Sequence, residues 1–235
     1  MSPESEAVVS VWAVESDGVN TPGGERVSSA GGDPLRAKYA ITGRFYDVLD
    51  YPFERMYRRW RPELLQDLRG EVLEPGVGTG HNLQFYHPSV HVTGVDLSPV
   101  MLRRAQAKLG HVRCAVDLRV DDATRLDSVH SDHFDWIFST FMCCVMPDEL
   151  QPKALKQFAR VLKPGGRFRL LEVVYSSEPK IRKWQERIST LVERIYGARF
   201  DRETLQHLKQ EPSLRVTATR YLKWESYLVI DGIAV

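Results

Sequence analysis

The chain has little cysteine: three residues in 235, two of them adjacent at Cys143 and Cys144, and none in a C-x-x-C arrangement. Such a set builds neither a disulfide framework nor a structural zinc site, and a reducing cytosol fits it best. The seven histidines are scattered without the spacing of metal ligands, so no metal is expected. No run approaches the roughly 18 apolar residues that span a bilayer, and the N-terminus has no basic stretch followed by an apolar core. The protein therefore reads as cytoplasmic, with peripheral contact at a membrane left open. Charge of one sign is missing too, since 32 Lys and Arg stand against 31 Asp and Glu. That balance sets up no global field to draw in nucleic acid. No Ser-His-Asp or Cys-His arrangement, no G-x-G-x-x-G and no G-K-[ST] is present, so triad hydrolysis, dinucleotide binding and P-loop chemistry find no support.

What is present centres on Glu71-Val72-Leu73-Glu74-Pro75-Gly76-Val77-Gly78-Thr79-Gly80, a short apolar strand running into a glycine-rich turn. Glycines at alternate positions let the backbone turn sharply and leave no side chain between main-chain N–H groups and a ligand. About twenty residues on, the apolar run Val90 to Val95 ends in Asp96, where a carboxylate in a nucleotide-binding α/β fold accepts hydrogen bonds from ribose hydroxyls. A helix over His81 to Tyr86 would turn its free N–H groups toward an anion, with the Thr79 hydroxyl nearby. Ser98 is placed as an N-cap and Pro99 in the first turn of a second helix, with Met101, Leu102 and Ala105 on one face.

Further along, Ala115 to Val120 and Phe134 to Thr140 read as strands, the second leaving through Ser139-Thr140-Phe141-Met142 into the crevice at the carboxyl ends of an open sheet, where methyl donor and acceptor should meet. Pro152 to Leu162 reads as a helix and Arg167 to Val174 as a fifth strand. Glu172 sits inside that apolar run and needs either a job, such as orienting an acceptor or accepting its proton, or a basic partner. Leu214 to Tyr221 and Trp224 to Ile233 complete the set as an antiparallel edge pair. Before the first strand, aromatic and aliphatic residues from Tyr39 to Leu64 recur at near-helical spacing with arginines between them. There, Arg55, Arg58, Arg59, Trp60 and Arg61 form either a face for anionic lipid or a solvated helix face.

These residues resemble the class I S-adenosylmethionine-dependent methyltransferases. Glu74 with Gly76, Gly78 and Gly80 is similar to their first motif, and Phe134-Asp135-Trp136-Ile137-Phe138-Ser139 to their fourth strand. Arg160-Val161-Leu162-Lys163-Pro164-Gly165-Gly166 looks like the turn before their fifth. Spacing does not separate Asp121 from Asp122, but the family pattern puts the adenine-side acid directly before a small residue, at Asp122-Ala123. The resemblance implies S-adenosyl-L-methionine as cofactor, S-adenosyl-L-homocysteine as product, and Leu97 and Met101 beside the adenosine. It implies binding through Glu74, the three glycines, Thr79, Asn82, Asp96, Asp122, Ala123, Ser139 and Thr140. Tyr39 and the Tyr46-Asp47 pair match a segment that covers the cofactor in relatives, which makes Tyr46, with Glu172, a catalytic candidate. Pro75 departs from the pattern and removes one backbone donor from the loop.

The implied fold is α/β: a Rossmann-like, seven-stranded, doubly wound sheet with an antiparallel C-terminal edge pair, N-terminal helices and a helical lid. Residues 1–34 read as a disordered leader and 35–235 as the methyltransferase domain, with cap helices over 35–66 and the lid over 176–208. The branch most resembled methylates small molecules and lipids, as the ubiquinone/menaquinone C-methyltransferases and bacterial phosphatidylethanolamine N-methyltransferases do. The implied acceptor is a small or amphipathic molecule, with a phospholipid amine or a quinone as leading examples. The alternatives are a nucleic-acid or protein methyltransferase, disfavoured because no [ND]-P-P-[YFW] follows the fourth strand, and a non-catalytic cofactor-binding module. His81 and His87 are the histidines nearest the cofactor loop.

Overall fold

The computed structural model describes residues 51–235, with side chains from Glu54 onward. The expectations for the leader, the first cap helix, Tyr39 and Tyr46 lie outside these residues. The apolar runs form β1 (Glu71–Pro75), β2 (His91–Asp96), β3 (Ala115–Val120), β4 (Phe134–Thr140), β5 (Leu162–Val173), β6 (Leu214–Tyr221) and β7 (Tyr227–Ala234). They lie in one sheet in the order β3-β2-β1-β4-β5-β7-β6. β1 to β5 run parallel, while β7 is antiparallel to both β5 and β6. This is the Rossmann-like sheet expected, with its antiparallel terminal pair. β1 leads outward to β2 and the chain later returns to β4 on its other side, so a crevice opens at the carboxyl ends of β1 and β4.

Parallel strands covered on both faces read as unbroken apolar runs, and successive residues feed two cores. Leu73, Val95, Ile137, Phe168, Leu170 and Ile230 pack on one face with α3 (Gln151–Val161) and α5 (Thr204–Gln210). Val72, Val92, Val116, Phe138, Leu171 and Val229 pack on the other with α1 (Tyr51–Leu65) and α2 (Pro99–Lys108). The sheet is doubly wound. α2 starts as read, with the Ser98 hydroxyl accepting from the Met101 N–H at 3.4 Å. The long segment after β5 carries α4 (Pro179–Tyr196) before α5.

The structure corrects two expectations. No α-helix forms over His81 to Tyr86; Leu83–Phe85 makes a single 3₁₀ turn. The side chains of Asn82 and Tyr86 both turn onto Glu74, and Pro88, unable to donate, closes the segment to further helix. Trp224 does not start the last strand. It lies in a 3₁₀ turn, Lys223–Glu225, at φ 58°.

Arg169 on β5 ties α1 to the sheet. Its guanidinium donates to Asp231 on β7 at 2.5 Å, to Asp67 at 2.6 Å and to the Leu64 carbonyl at 2.7 Å. These charge-assisted bonds hold the Arg169 guanidinium above its ordinary pKa, against the desolvation of burial, which is the largest influence and acts to lower it. Arg169→Ala strips this cluster of its centre and should cost about 3 kcal/mol in urea denaturation; a loss below about 0.5 kcal/mol would show that the cluster does not hold α1.

Candidate active site

One cleft lies at the carboxyl ends of β1, β2 and β4, where the sheet topology puts it. Its walls include Gly76, Gly78, Thr79, Asn82, Asp96, Leu97, Met101, Asp122, Ala123 and Thr140. The glycine loop turns at positive φ, 71° at Gly76, 55° at Gly78 and 76° at Gly80. A Cβ at Gly76 would meet the Met142 side chain at 2.8 Å and one at Gly80 would meet Leu83 at 2.8 Å, so those two are required by packing. A Cβ at Gly78 would meet nothing nearer than 3.9 Å. Gly78 is therefore the loop position whose bare side opens to the cleft.

Asp96, at the end of β2, has one backbone donor on each oxygen: Gly78 N–H on Oδ2 at 3.0 Å and Ser98 N–H on Oδ1 at 2.8 Å. Each oxygen keeps acceptor capacity for a vicinal pair of hydroxyls. Burial pushes its carboxyl above the usual range, against the pull of those two N–H groups. The structure also separates the two acids after β3. Asp121 spends Oδ1 on the Asp122 N–H and Oδ2 on Ser128. Asp122 spends Oδ1 on Thr124, and its Oδ2 has no hydrogen-bond partner among the described residues.

Beneath the loop, Glu74 is 1% exposed and does not line the cleft. It accepts from Asn82 Nδ2 at 2.7 Å and from the Tyr86 hydroxyl at 2.8 Å. Burial raises its carboxyl to about 7, against the two hydrogen bonds and the Arg61 charge. Asn82 passes the constraint on, donating to the Thr140 hydroxyl at 3.1 Å and accepting from Arg61 Nε at 2.6 Å. Arg61 is 5% exposed and reaches the cleft wall, with Nη1 on Glu54 and the guanidinium over Phe85. The arginine cluster read from the sequence is thereby split: Arg61 turns inward, and Trp60 packs at 5.0 Å from Tyr227, while Arg55, Arg58 and Arg59 face solvent.

Glu172 requires a correction. Its carboxylate is absent from the cleft wall and accepts from the amides of Cys143 at 3.0 Å and Cys144 at 2.8 Å. Burial raises it to about 7 in spite of those donors. It anchors the turn after β4. Ser139 and Gly80 also stay out of the wall, Ser139 donating to the Pro75 carbonyl at 2.8 Å. His81 lines the cleft with Nδ1 at 3.5 Å from Glu54, whereas His87 is exposed. No residue of 176–208 lines it.

Sequence reasoning brought Phe141 and Met142 to the crevice through the β4 exit but missed the rest of the apolar wall. Tyr57, Phe141, Met142, Val145, Met146 and Leu150 form an apolar surface there. Phe141 stacks on Tyr57 at 4.6 Å and holds φ 61°. A left-handed backbone at a bulky residue persists only where its surroundings over-determine it. Here the Leu171 carbonyl takes its N–H at 2.7 Å, and Glu172 holds the next turn.

A Rossmann-like sheet, a glycine loop at positive φ and two carboxylates with open acceptor capacity at the strands' carboxyl ends meet in this one cleft. A family model described as a methyltransferase domain matches residues 72–166. The chain is 38% identical over 99 residues to a phosphatidylethanolamine N-methyltransferase of Cereibacter sphaeroides, covering 41% of this chain and 47% of that one. It thus spans about half the length of that relative. It is 30% identical to a demethylmenaquinone methyltransferase of Lactiplantibacillus plantarum, across 75% of this chain and 78% of the relative. A thiol S-methyltransferase of Rattus norvegicus is 28% identical, across 72% and 70%. The chain belongs to the class I S-adenosylmethionine-dependent methyltransferases, in the branch that includes small-molecule and lipid enzymes. The residues fit that family's cofactor: Asp96 and Asp122 keep free acceptor capacity, and Gly78 leaves its approach open.

The raised Glu74 makes a pH prediction. A carboxyl whose folded pKa lies above its unfolded value stabilises most when protonated, and that contribution is lost as pH rises through the folded value. Glu74→Gln keeps a neutral group in place, so the stability of the wild type relative to this variant should fall between about pH 5 and pH 8. Parallel melting curves for the two proteins over that window would remove the buried proton from Glu74.

Proposed function

We propose that the protein is an S-adenosylmethionine-dependent methyltransferase acting on a small or amphipathic acceptor with an apolar body, in the cytoplasm and in peripheral contact with a membrane. The observation that carries the reading is the mixed lining of a single cleft. Hydrogen-bonding groups of the glycine loop, the β2 end and the β3 exit share it with apolar side chains of the segment after β4. A wall built of Phe141, Met142, Val145 and Met146 suits a quinone, a thiol or a lipid-borne amine, and offers nothing to a phosphate backbone.

When bound, S-adenosylmethionine supplies a methyl group on a sulfonium sulfur, which departs as a neutral thioether. Asp96 would take the ribose hydroxyls and Asp122 the adenine amine, with Leu97 and Met101 against the base. Thr79 and Thr140 border the loop's mouth. Alignment and water exclusion are most of what such a displacement asks of a protein, and the apolar wall provides both for a nucleophile that brings its own lone pair. The methionine carboxylate needs a positive partner. With only a 3₁₀ turn after the loop, the Arg61 guanidinium takes the place of a helix N-terminus.

Arg61→Gln should weaken S-adenosylhomocysteine binding at least roughly tenfold by calorimetry. It should leave 5′-methylthioadenosine, which has no amino-acid part, within about twofold. Equal losses for both ligands would show that Arg61 merely supports the fold. Methyl release measured against pools of phospholipid, quinone, thiol and amine acceptors tests the function itself. Turnover in one pool is expected; binding of the donor with turnover in none would leave a cofactor-binding module.

A further inference from the structure

Helix α4 has a feature that the cleft does not explain. Its sequence, PKIRKWQERISTLVERIY, repeats apolar residues at Ile181, Trp184, Ile188, Leu191, Val192 and Ile195, an arc about 100° wide at 100° per residue. A stripe of that width normally packs on a core. Here Ile181, Ile188, Val192 and Ile195 are half-buried, but at the edge of the stripe Trp184 is 51% and Leu191 57% exposed.

The charges around this stripe are sorted. Lys180, Arg187 and Arg194 recur every seven residues, each three or four positions from Trp184 or Leu191, and so run along the exposed edge of the apolar arc. The two acids of the helix fall on the opposite side and are paired, Glu186 with Arg182 at 3.2 Å and Glu193 with Arg199 at 3.5 Å. Lys180, Lys183, Arg187 and Arg194 make no ion pair among the described residues, and all four are exposed.

A second exposed tryptophan stands at the root of the helix. Ser176, just before α4, donates its hydroxyl to the Trp224 carbonyl at 2.6 Å, and Ser177 bonds Glu225. These contacts hold Trp224 and Glu225 at φ 58° and 53°, conformations that neither residue adopts without such support. Trp224 is 50% exposed, with Lys223 Nζ 4.0 Å from the centre of its ring.

We propose that α4 and the Lys223–Glu225 turn dock the protein on an anionic lipid surface. Trp184, Leu191 and Trp224 enter the headgroup boundary, where an indole keeps its apolar ring in lipid and its N–H wet. The lysines and arginines beside them meet the anionic headgroups. The chain leaving α4 returns to the β4 exit through Arg199 N–H on the Cys144 carbonyl at 2.9 Å. This inference gives the membrane part of the proposed function a named face, but α4 contributes nothing to the cleft, so the two can fail separately.

The test is flotation of the full chain with phosphatidylcholine vesicles, with and without about 30% phosphatidylserine, at about 0.1 M and 0.5 M salt. Binding only to the anionic vesicles and only at low salt is expected. Replacing Lys180, Arg187 and Arg194 together by glutamine should lower the partition coefficient roughly a hundredfold. Trp184→Ala with Leu191→Ala should also abolish flotation, while S-adenosylhomocysteine binding stays intact in both variants and shows that they fold. No flotation of the wild type, or flotation unchanged in the variants, overturns the proposal. So does a dimer in light scattering that Leu191→Ala dissolves, which would assign the face to a second copy of the chain.

Discussion

The donor end of the cleft depends on keeping one carboxylate satisfied out of water. Glu74 sits under the glycine loop at the end of β1, where an unpaired charge would cost several kcal/mol. Its two hydrogen bonds go to Asn82 and Tyr86, which are separated by a single turn of chain. Meeting both pulls that turn tight over the carboxylate and forfeits the helix that would otherwise follow the loop. Asn82 then has Oδ1 left for Arg61 and a second hydrogen for Thr140. One buried acid thus fixes a residue from α1, the loop and the exit of β4 in a single network.

The acceptor end depends on a second buried acid. Glu172 gives its two oxygens to two successive amides, Cys143 and Cys144, and this holds the chain leaving β4 in a tight turn. The turn forces Phe141 into a left-handed conformation and presents its ring to Tyr57. Burial raises both carboxyls to about 7, against the hydrogen bonds each accepts. Their work is geometric: one sets the polar wall and the other the apolar wall.

Much of this was legible before the structure, and the reason differs by element. β2, β3, β4 and β6 read to within a residue because buried strands leave β-branched and apolar runs, as in Val90 to Val95 and Phe134 to Thr140. β5 instead begins at Leu162, five residues before the reading, and β7 at Tyr227, three after it. Ser98-Pro99 placed the start of α2 because capping is a local interaction. The turn after the loop was misread because its shape is set by Glu74, several residues earlier, and not by local propensity. Glu172 was rightly judged to need a partner, but the partners are backbone amides, which carry no signature in a sequence. Arg61 was hidden among four arginines of α1, and only its contact with Asn82, 21 positions away, sets it apart. The apolar wall from Phe141 to Leu150 follows no motif, since it needs only bulk and shape.

Under the proposed function, replacing a helix N-terminus by the Arg61 side chain changes more than the source of charge. A helix dipole belongs to the loop itself, whereas Arg61 belongs to α1, which reaches the sheet through Arg169, Asp67 and Asp231. Tyr57, one helical turn before Arg61, stacks on Phe141 in the acceptor wall. A ligand carboxylate drawing on Arg61 would therefore also steady the helix that presents Tyr57. Donor and acceptor ends are then coupled through α1, so the helix ahead of the first strand is part of the site and not a lid added to it.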